Sequence, residues 1–332
     1  MTGQAAKIAV VLLNMGGPDC LDAVRPFLHN LFSDPQILAV PGIVRRPLAW
    51  WIAYRRAPRS TANYRAIGGK SPLGEITRAQ ARALEAELGP GYAVTLAMRY
   101  WHPRAAEAAR VVGESGARAV VALPLYPQFS RATSGSSLAD LDRALDRAGL
   151  DTLPRAAIRS WQAYPPYACA LAECVREGLE GLEGATVLFS AHGLPVKLVE
   201  RGDPYLEQVH ATVGAVMSHL PGVPHRLAFQ SRTGPVRWLE PSVADELAAL
   251  AGQGVRRVVV VPVSFVSDHI ETLYEIDVEY GELARSLGFD AFRRSPSLNT
   301  RPSFIRALAQ LVRERGAALH PTPHPADPGA RP

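Results

Sequence analysis

Arg257-Val258-Val259-Val260-Val261-Pro262-Val263, followed three residues later by Ser267-Asp268-His269-Ile270-Glu271-Thr272-Leu273-Tyr274-Glu275-Ile276-Asp277-Val278-Glu279-Tyr280, is the stretch on which this chain's fold turns. The first half is an apolar β-branched run, the pattern of a strand buried on both faces as in a parallel sheet. Open parallel α/β sheets bind ligands just beyond the carboxyl ends of their strands, where the second half begins. Asp268, Glu271, Glu275 and Glu279 recur at steps of three, four and four, so they share one helical face. Like charges at that spacing repel by about 0.2–0.5 kcal/mol per pair on an exposed helix, and by more when desolvated. Such a row either faces water or has protons or a cation to handle. A solvated face is the ordinary reading. The position at a strand end, the presence of His269 and the shortage of basic partners within the helix favour the second.

The same alternation runs through the chain. Strands are expected at Ile8–Leu13, Ala93–Met98 and Ala119–Leu123, with Ala-, Glu- and Arg-rich helices such as Thr77–Leu88 and Pro103–Ser115 between them. The pattern then repeats with strands at Thr186–Phe189, Arg226–Phe229 and Val258–Val263. The expected fold is α/β: two similar lobes, each a parallel sheet flanked by helices, with a cleft between them. The first lobe is placed at 1–155, the second at 156–318, and a proline-rich tail at 319–332 is expected to be disordered. Small and polar residues gather after the strands, as at Asn14-Met15-Gly16-Gly17-Pro18 and Ser190-Ala191-His192-Gly193-Leu194-Pro195.

Composition narrows the function classes. The 332 residues are 47% hydrophobic and 20% charged, an ordinary globular balance. The net charge of +5 comes almost wholly from arginine, since Lys7, Lys70 and Lys197 are the only lysines. With no basic run, nucleic-acid binding is not expected. Cys20, Cys169 and Cys174 are odd in number and lack CxxC spacing, which argues against a disulfide framework or zinc site and suits a reducing cytosol. There is no cleavable leader pattern and no run of about 18 apolar residues, the length of a membrane span.

Residues 37–58 differ from the rest. Apolar and aromatic residues, Trp50, Trp51 and Tyr54 among them, are flanked by Arg45, Arg46, Arg55 and Arg56. That composition suits a membrane interface or the mouth of an apolar pocket, and equally a core helix with exposed ends. His192, directly after a strand, is placed to accept a proton or ligate a metal, with the carboxylate row as its partner. Ser130 to Ser137 is a hydroxyl-rich turn whose donors would hold a carboxylate or simply cap a helix. Gly16-Gly17 and Gly68-Gly69 complete neither phosphate-loop motif, and no GxSxG elbow appears.

Taken in order, Leu13-Asn14-Met15-Gly16-Gly17-Pro18, Tyr64-Arg65-Ala66-Ile67-Gly68-Gly69-Lys70-Ser71-Pro72, Tyr126-Pro127-Gln128, Ser190 to Pro195, Arg201-Gly202-Asp203-Pro204-Tyr205 and Ser267 to Tyr280 resemble the ferrochelatase family over about Ile8 to Val312. The resemblance implies a two-lobed, Rossmann-like fold and insertion of Fe(II) into protoporphyrin IX, with loss of two pyrrole protons. His192 is implied at the porphyrin centre as proton acceptor, metal ligand or both, and Glu271 as the essential carboxylate. Asp268, His269, Glu275 and Glu279 are implied to form the acidic path for protons or metal. A π-type winding is implied there, which would align Glu271, Glu275 and Glu279 better than an α-helix, on which they drift by about 40° per step. Met15 matches the position facing the porphyrin opposite His192. Arg99, Tyr100 and Trp238 match the pocket wall, and Arg65 and Ser130 match positions near the propionates.

The same resemblance makes residues 37–58 an apolar lip and implies peripheral contact with the membrane. Iron is a substrate, and no prosthetic group is expected. A [2Fe–2S] cluster generally needs four cysteine ligands, and this chain has three, none after Cys174. A bacterial-type cytoplasmic monomer is the expectation, peripheral on the inner membrane. Other readings are a coproporphyrin III ferrochelatase, a cobalt or sirohydrochlorin chelatase of the same fold, and a haem- or metal-carrying protein without turnover.

Overall fold

The computed structural model describes residues 7–232, 234 and 236–319. The expected disordered tail therefore lies, from residue 320 onward, outside the described residues.

The first lobe contains β1 (Ile8–Asn14), α1 (Val24–Phe32), α2 (Gly42–Ala66), α3 (Leu73–Leu88), β2 (Tyr92–Met98), α4 (Ala105–Glu114), β3 (Ala119–Pro124), α5 (Ser136–Arg147) and β4 (Arg155–Ala157). The second contains α6 (Pro165–Leu179), β5 (Thr186–His192), α7 (Val196–Glu200), α8 (Tyr205–Met217), β6 (His225–Gln230), α9 (Val243–Gly252), β7 (Arg257–Pro262), α10 (Gly281–Ser286), β8 (Ala291–Arg294) and α11 (Pro302–Ala317). A short π-wound turn, Arg131–Gly135, leads into α5, and a ten-residue π-helix, Glu271–Tyr280, leads into α10.

Each lobe is a four-stranded, wholly parallel sheet. The orders are β2-β1-β3-β4 and β6-β5-β7-β8, so the second repeats the first. In this order the chain turns to the other side of the first strand between β1 and β3, and again between β5 and β7. Crevices at such reversals are where open α/β sheets hold their ligands.

Burial follows strand alternation. Ile8, Val10 and Leu12 of β1 join Val187 and Phe189 of β5 and Val259 and Val261 of β7 in one apolar core shared by both lobes. Ala9, Val11 and Leu13 point the other way, against Ala105, Ala108 and Val112 of α4 and Leu138, Leu141 and Leu145 of α5. Sheets covered on both faces need such near-continuous apolar strands.

Two features refine the expected division. A cut at residue 155 passes through β4, which pairs with β3 in the first sheet. Helix α11 packs on both α3 and α6, so the end of the chain ties the lobes together. The six expected strands form within a residue or a few of their expected ends. The two remaining strands, β4 and β8, each at one edge of its sheet, are three and four residues long and contain arginine, so they carried no apolar signal.

Candidate active site

A cavity of about 750 Å³ opens between the lobes, within the size of ordinary small-molecule sites. It is reached by Met15, Tyr100 and Tyr126 beyond strands of the first lobe, and by His192, Ser264 and Phe265 beyond strands of the second. Helices α1 and α2 form its lip, and one side of the π-helix its inner wall.

His192 is the last residue of β5. Its backbone N–H donates to Ser264 Oγ (3.2 Å), and its carbonyl accepts from Tyr205 Oη (2.9 Å). Gly193 follows because the chain must pass against β6: a Cβ there would lie 2.7 Å from the Gln230 carbonyl and 3.3 Å from the Trp238 ring. The imidazole is thereby aimed, and its Nδ1–H donates to Glu271 Oε2 at 2.9 Å. That bond fixes the tautomer and leaves Nε2 with its lone pair free, unbonded by any described residue. The side chain is 38% exposed and lines the cavity. Burial lowers its pKa, but the Glu271 charge and hydrogen bond, with Glu275 behind them, outweigh burial and raise it above the usual value.

The two inner carboxylates are driven apart. Burial would raise Glu271, yet His192 and then His269 hold it well below the ordinary range. Glu275 is raised, by burial and then by the Glu271 charge, against the lowering from Ser231. Glu275 accepts hydrogen bonds from Ser231 N–H (2.7 Å), Ser231 Oγ (2.5 Å) and Tyr280 Oη (2.9 Å). Gln230 Nε2 bridges the pair, donating to the Glu271 carbonyl (3.2 Å) and Glu275 Oε2 (3.3 Å). Glu279, one step further, is 37% exposed and meets Arg59 of α2 at 3.3 Å. Neighbouring acids with opposed shifts are the arrangement that assigns separate proton-holding roles.

His269 stands beside them, 4% exposed. Its Nδ1–H donates to the Ser267 carbonyl (3.1 Å), leaving Nε2 without a hydrogen-bond partner and 3.9 Å from Glu271 Oε2. Among the described residues no group of three or more His, Cys, Asp or Glu side chains is arranged to hold a metal ion.

Three of the residues picked from sequence fall elsewhere, and a fourth, Ser130, lines the cavity with its hydroxyl already engaged. Asp268 does not line the cavity; its carboxylate is taken by Ser297 Oγ (2.7 Å), Asn299 Nδ2 (2.8 Å) and Arg294 Nη1 (2.9 Å). The acidic row in the cavity is therefore Glu271, Glu275 and Glu279. Arg65 is exposed on α2, one residue and so about 100° past the inward-facing Tyr64. Arg99 lies behind the wall, with Nη2 on Asp34 Oδ2 (2.9 Å) and Nε on Ser136 Oγ (2.7 Å). Ser130 reaches the wall, but its hydroxyl donates to Asp203 Oδ2 (2.9 Å) and accepts from Ala132 N–H (3.2 Å). The capping reading describes this hydroxyl, and the carboxylate it meets is the protein's own Asp203.

Met15, Tyr100, Trp238, His192, His269, Glu271, Glu275 and Glu279 do line the cavity. Sequence reading missed Arg59 as a lining cation, placed Arg55 and Arg56 only as flanks of the apolar stretch, and missed Ser71. It also missed Ser264 and Phe265, whose position just after β7 is the signal that had found His192.

A family model described as Ferrochelatase matches residues 7–316. The chain belongs to the ferrochelatase family. Its relatives named Ferrochelatase include one from Geotalea daltonii, 50% identical over 314 residues that cover 93% of this chain and 98% of the relative. Another, from Geobacter metallireducens, is 51% identical over 317 residues, covering 94% and 100%. The ferrochelatase family consists of metal-inserting chelatases, and iron insertion in haem biosynthesis is its function. Among solved structures, SirB from Bacillus subtilis with Fe3+ matches with a TM-score of 0.59 at 13% identity, covering 94% of this chain and 96% of that one. SirB from Bacillus subtilis subspecies spizizenii in complex with cobalt gives 0.56 at 12% identity with the same coverage. At that identity the likeness is one of fold alone.

Proposed function

We propose that this protein inserts Fe(II) into protoporphyrin IX to form protohaem, releasing two protons in the last step of haem formation. The observation that carries the reading is His192, its Nδ1 held by Glu271 and its Nε2 free, inside a cavity large enough for a drug-sized ligand. Nε2 takes a pyrrole proton, and the imidazolium is stabilised by the ionised Glu271 beside it. Glu275, raised where Glu271 is lowered, is the next holder, and half-open Glu279 returns the proton to water. The second proton follows the same route. His269 Nε2 and Glu271 Oε2, unbonded to each other at 3.9 Å, leave room for a cation or proton between nitrogen and oxygen donors, a set suited to ferrous iron in transit. Arg55, Arg56, Arg59 and Ser71 supply donors at the mouth for propionate groups. No resident prosthetic group takes part in this scheme.

The test is an anaerobic assay of the purified protein with Fe(II) and either protoporphyrin IX or coproporphyrin III, following loss of free-porphyrin fluorescence. Catalytic loss with protoporphyrin preferred is expected. Preference for coproporphyrin would correct the substrate, and no turnover with either would defeat the reading.

The lip supports peripheral membrane contact. Ile43, Val44, Trp50, Trp51 and Tyr54 are exposed, Ile43 at 87%. Arg25 lies 5.2 Å above the Trp50 ring and Arg55 5.8 Å above Trp51, so cations flank the apolar face as at a headgroup boundary. No helix among the described residues is long and apolar enough to cross a membrane.

A further inference from the structure

Asp268 opens the acidic stretch yet turns away from the cavity, and its partners lead across the molecule. The Asn299 side chain clasps it twice: Nδ2 donates to Asp268 Oδ2 (2.8 Å), and Oδ1 accepts the Asp268 backbone N–H (3.0 Å). Asn299 holds this pose with φ +43°, one of two non-glycine residues with positive φ among those described. Its own carbonyl accepts from Gln80 Nε2 at 2.8 Å, and the same Nε2 donates to Ser267 Oγ at 2.9 Å. Gln80 belongs to α3 of the first lobe, is fully buried, and leaves its own Oε1 without a partner in making these bonds. A buried unpaired acceptor is a cost that native proteins rarely carry. One turn earlier on the same face of α3, Thr77 accepts from Asn14 Nδ2 (3.2 Å), whose Oδ1 takes the Met15 N–H (2.8 Å).

A line thus runs from Met15, on one wall of the cavity, by hydrogen bonds through Asn14 to Thr77, along one turn of α3 to Gln80, and by hydrogen bonds again to Ser267, Asn299 and Asp268. Its far end adjoins His269, whose backbone N–H donates to Thr272 Oγ1 (3.0 Å) at the start of the π-helix. We propose that Gln80 and Asn299 are positioning residues: they set the first lobe's Met15 wall and the start of the π-helix, with Glu271, at a fixed separation across the cleft. Neither touches the cavity. They act on the rate of metal insertion through the geometry of His192 and Glu271 relative to the bound macrocycle. This deepens the metal-insertion reading and rests on it.

Gln80→Met keeps length and apolar packing but removes both donors. Asn299→Gly removes the clasp at a backbone angle glycine adopts freely, so the fold is retained there. With Fe(II) and protoporphyrin IX, both variants are expected to lose kcat by roughly 10–100-fold, with the porphyrin KM changed by less than about threefold. The double variant is expected to be no slower than the slower single one, because the two changes break one line. Unchanged kcat in folded Asn299→Gly, or loss appearing only as a raised KM, would overturn the proposal, as would full additivity in the double variant. The wild-type chain in the same assay separates the two claims: its inactivity would sink the metal-insertion reading, whereas an active wild type with equally active variants would sink the positioning role of Gln80 and Asn299 alone.

Discussion

His192 and Glu271 work as one unit, and pH exposes the coupling. His192 is raised above 6.5, the outcome of burial lowering it and the Glu271 charge and hydrogen bond raising it more. Its contribution to stability is therefore complete below that value and is lost as pH climbs through the higher folded one. Glu271 is lowered from 4.5, burial being overcome by His192, so its contribution is present above that value and is lost as pH falls through the lower folded one. The pair stabilises most between the two ordinary values. Activity has the opposite need, because His192 must be neutral to take a proton. In wild type the acid limb of kcat/KM is expected to lie above the ordinary histidine value. Glu271→Gln should shift that limb to lower pH, because the charge and hydrogen bond that raise His192 are removed, while kcat falls on the order of 10²–10⁴-fold. A limb that stayed in place would show that His192 is not the titrating base. Gly193 gives a steric test at the same scale. Gly193→Ala drives a Cβ toward the Gln230 carbonyl, whose side chain bridges Glu271 and Glu275, and should cost about 1–3 kcal/mol in thermal or urea unfolding.

The π-helix Glu271–Tyr280 is the element that turns residue spacing into a path. Steps of four residues overshoot an α-helical turn by about 40° each, and wider i→i+5 winding reduces that drift. Glu271, Glu275 and Glu279 consequently all reach the cavity, while Asp277 turns outward to Arg294, with contacts of 2.8 and 3.0 Å. The three carboxylates should fail differently. Glu275→Gln removes the raised acid between the inner site and the exit, and kcat should fall about 10²-fold or more at saturating iron. Glu279→Gln, at the open end where water can take the proton directly, should leave kcat within about threefold. Equal effects from both would argue against an ordered path. The residue types and spacing were readable beforehand, because acids at three- and four-residue intervals behind a buried strand are unusual. Asp268 was misread for a physical reason: on a regular helix it belongs to the row, but it precedes the π-wound segment, and Arg294, Ser297 and Asn299 draw it to the other side.

At the scale of the molecule, two repeats of one sheet order bring their reversal points together, and the cleft between them leads out to the lip. Trp50 and Trp51 lie outside the cavity lining on that lip. Replacing both by serine should abolish co-sedimentation with anionic phospholipid vesicles while turnover of detergent-dispersed porphyrin persists. Retained vesicle binding would move the contact to another face. The flanking arginines predict that wild-type binding weakens as salt is raised, surface charges being screened beyond about 8 Å at physiological ionic strength.

The sequence by itself determined six of the strands, their alternation with helices and the kind of residue gathered at their ends. Buried parallel strands must be apolar throughout, so any polar residue gathered just after one stands out, as His192 and Glu271 do. What only the tertiary structure decided is which way a side chain turns and what it meets. Arg65 had the charge to meet a propionate, yet Ala49, Ala53 and Tyr64 set the inward face of α2 and leave Arg65 in water. Arg99 and Ser130 had the right donors, but Asp34 and Asp203, far off in sequence, had already satisfied them. Donors and acceptors are local properties of a chain; their partners depend on distances that exist only after folding.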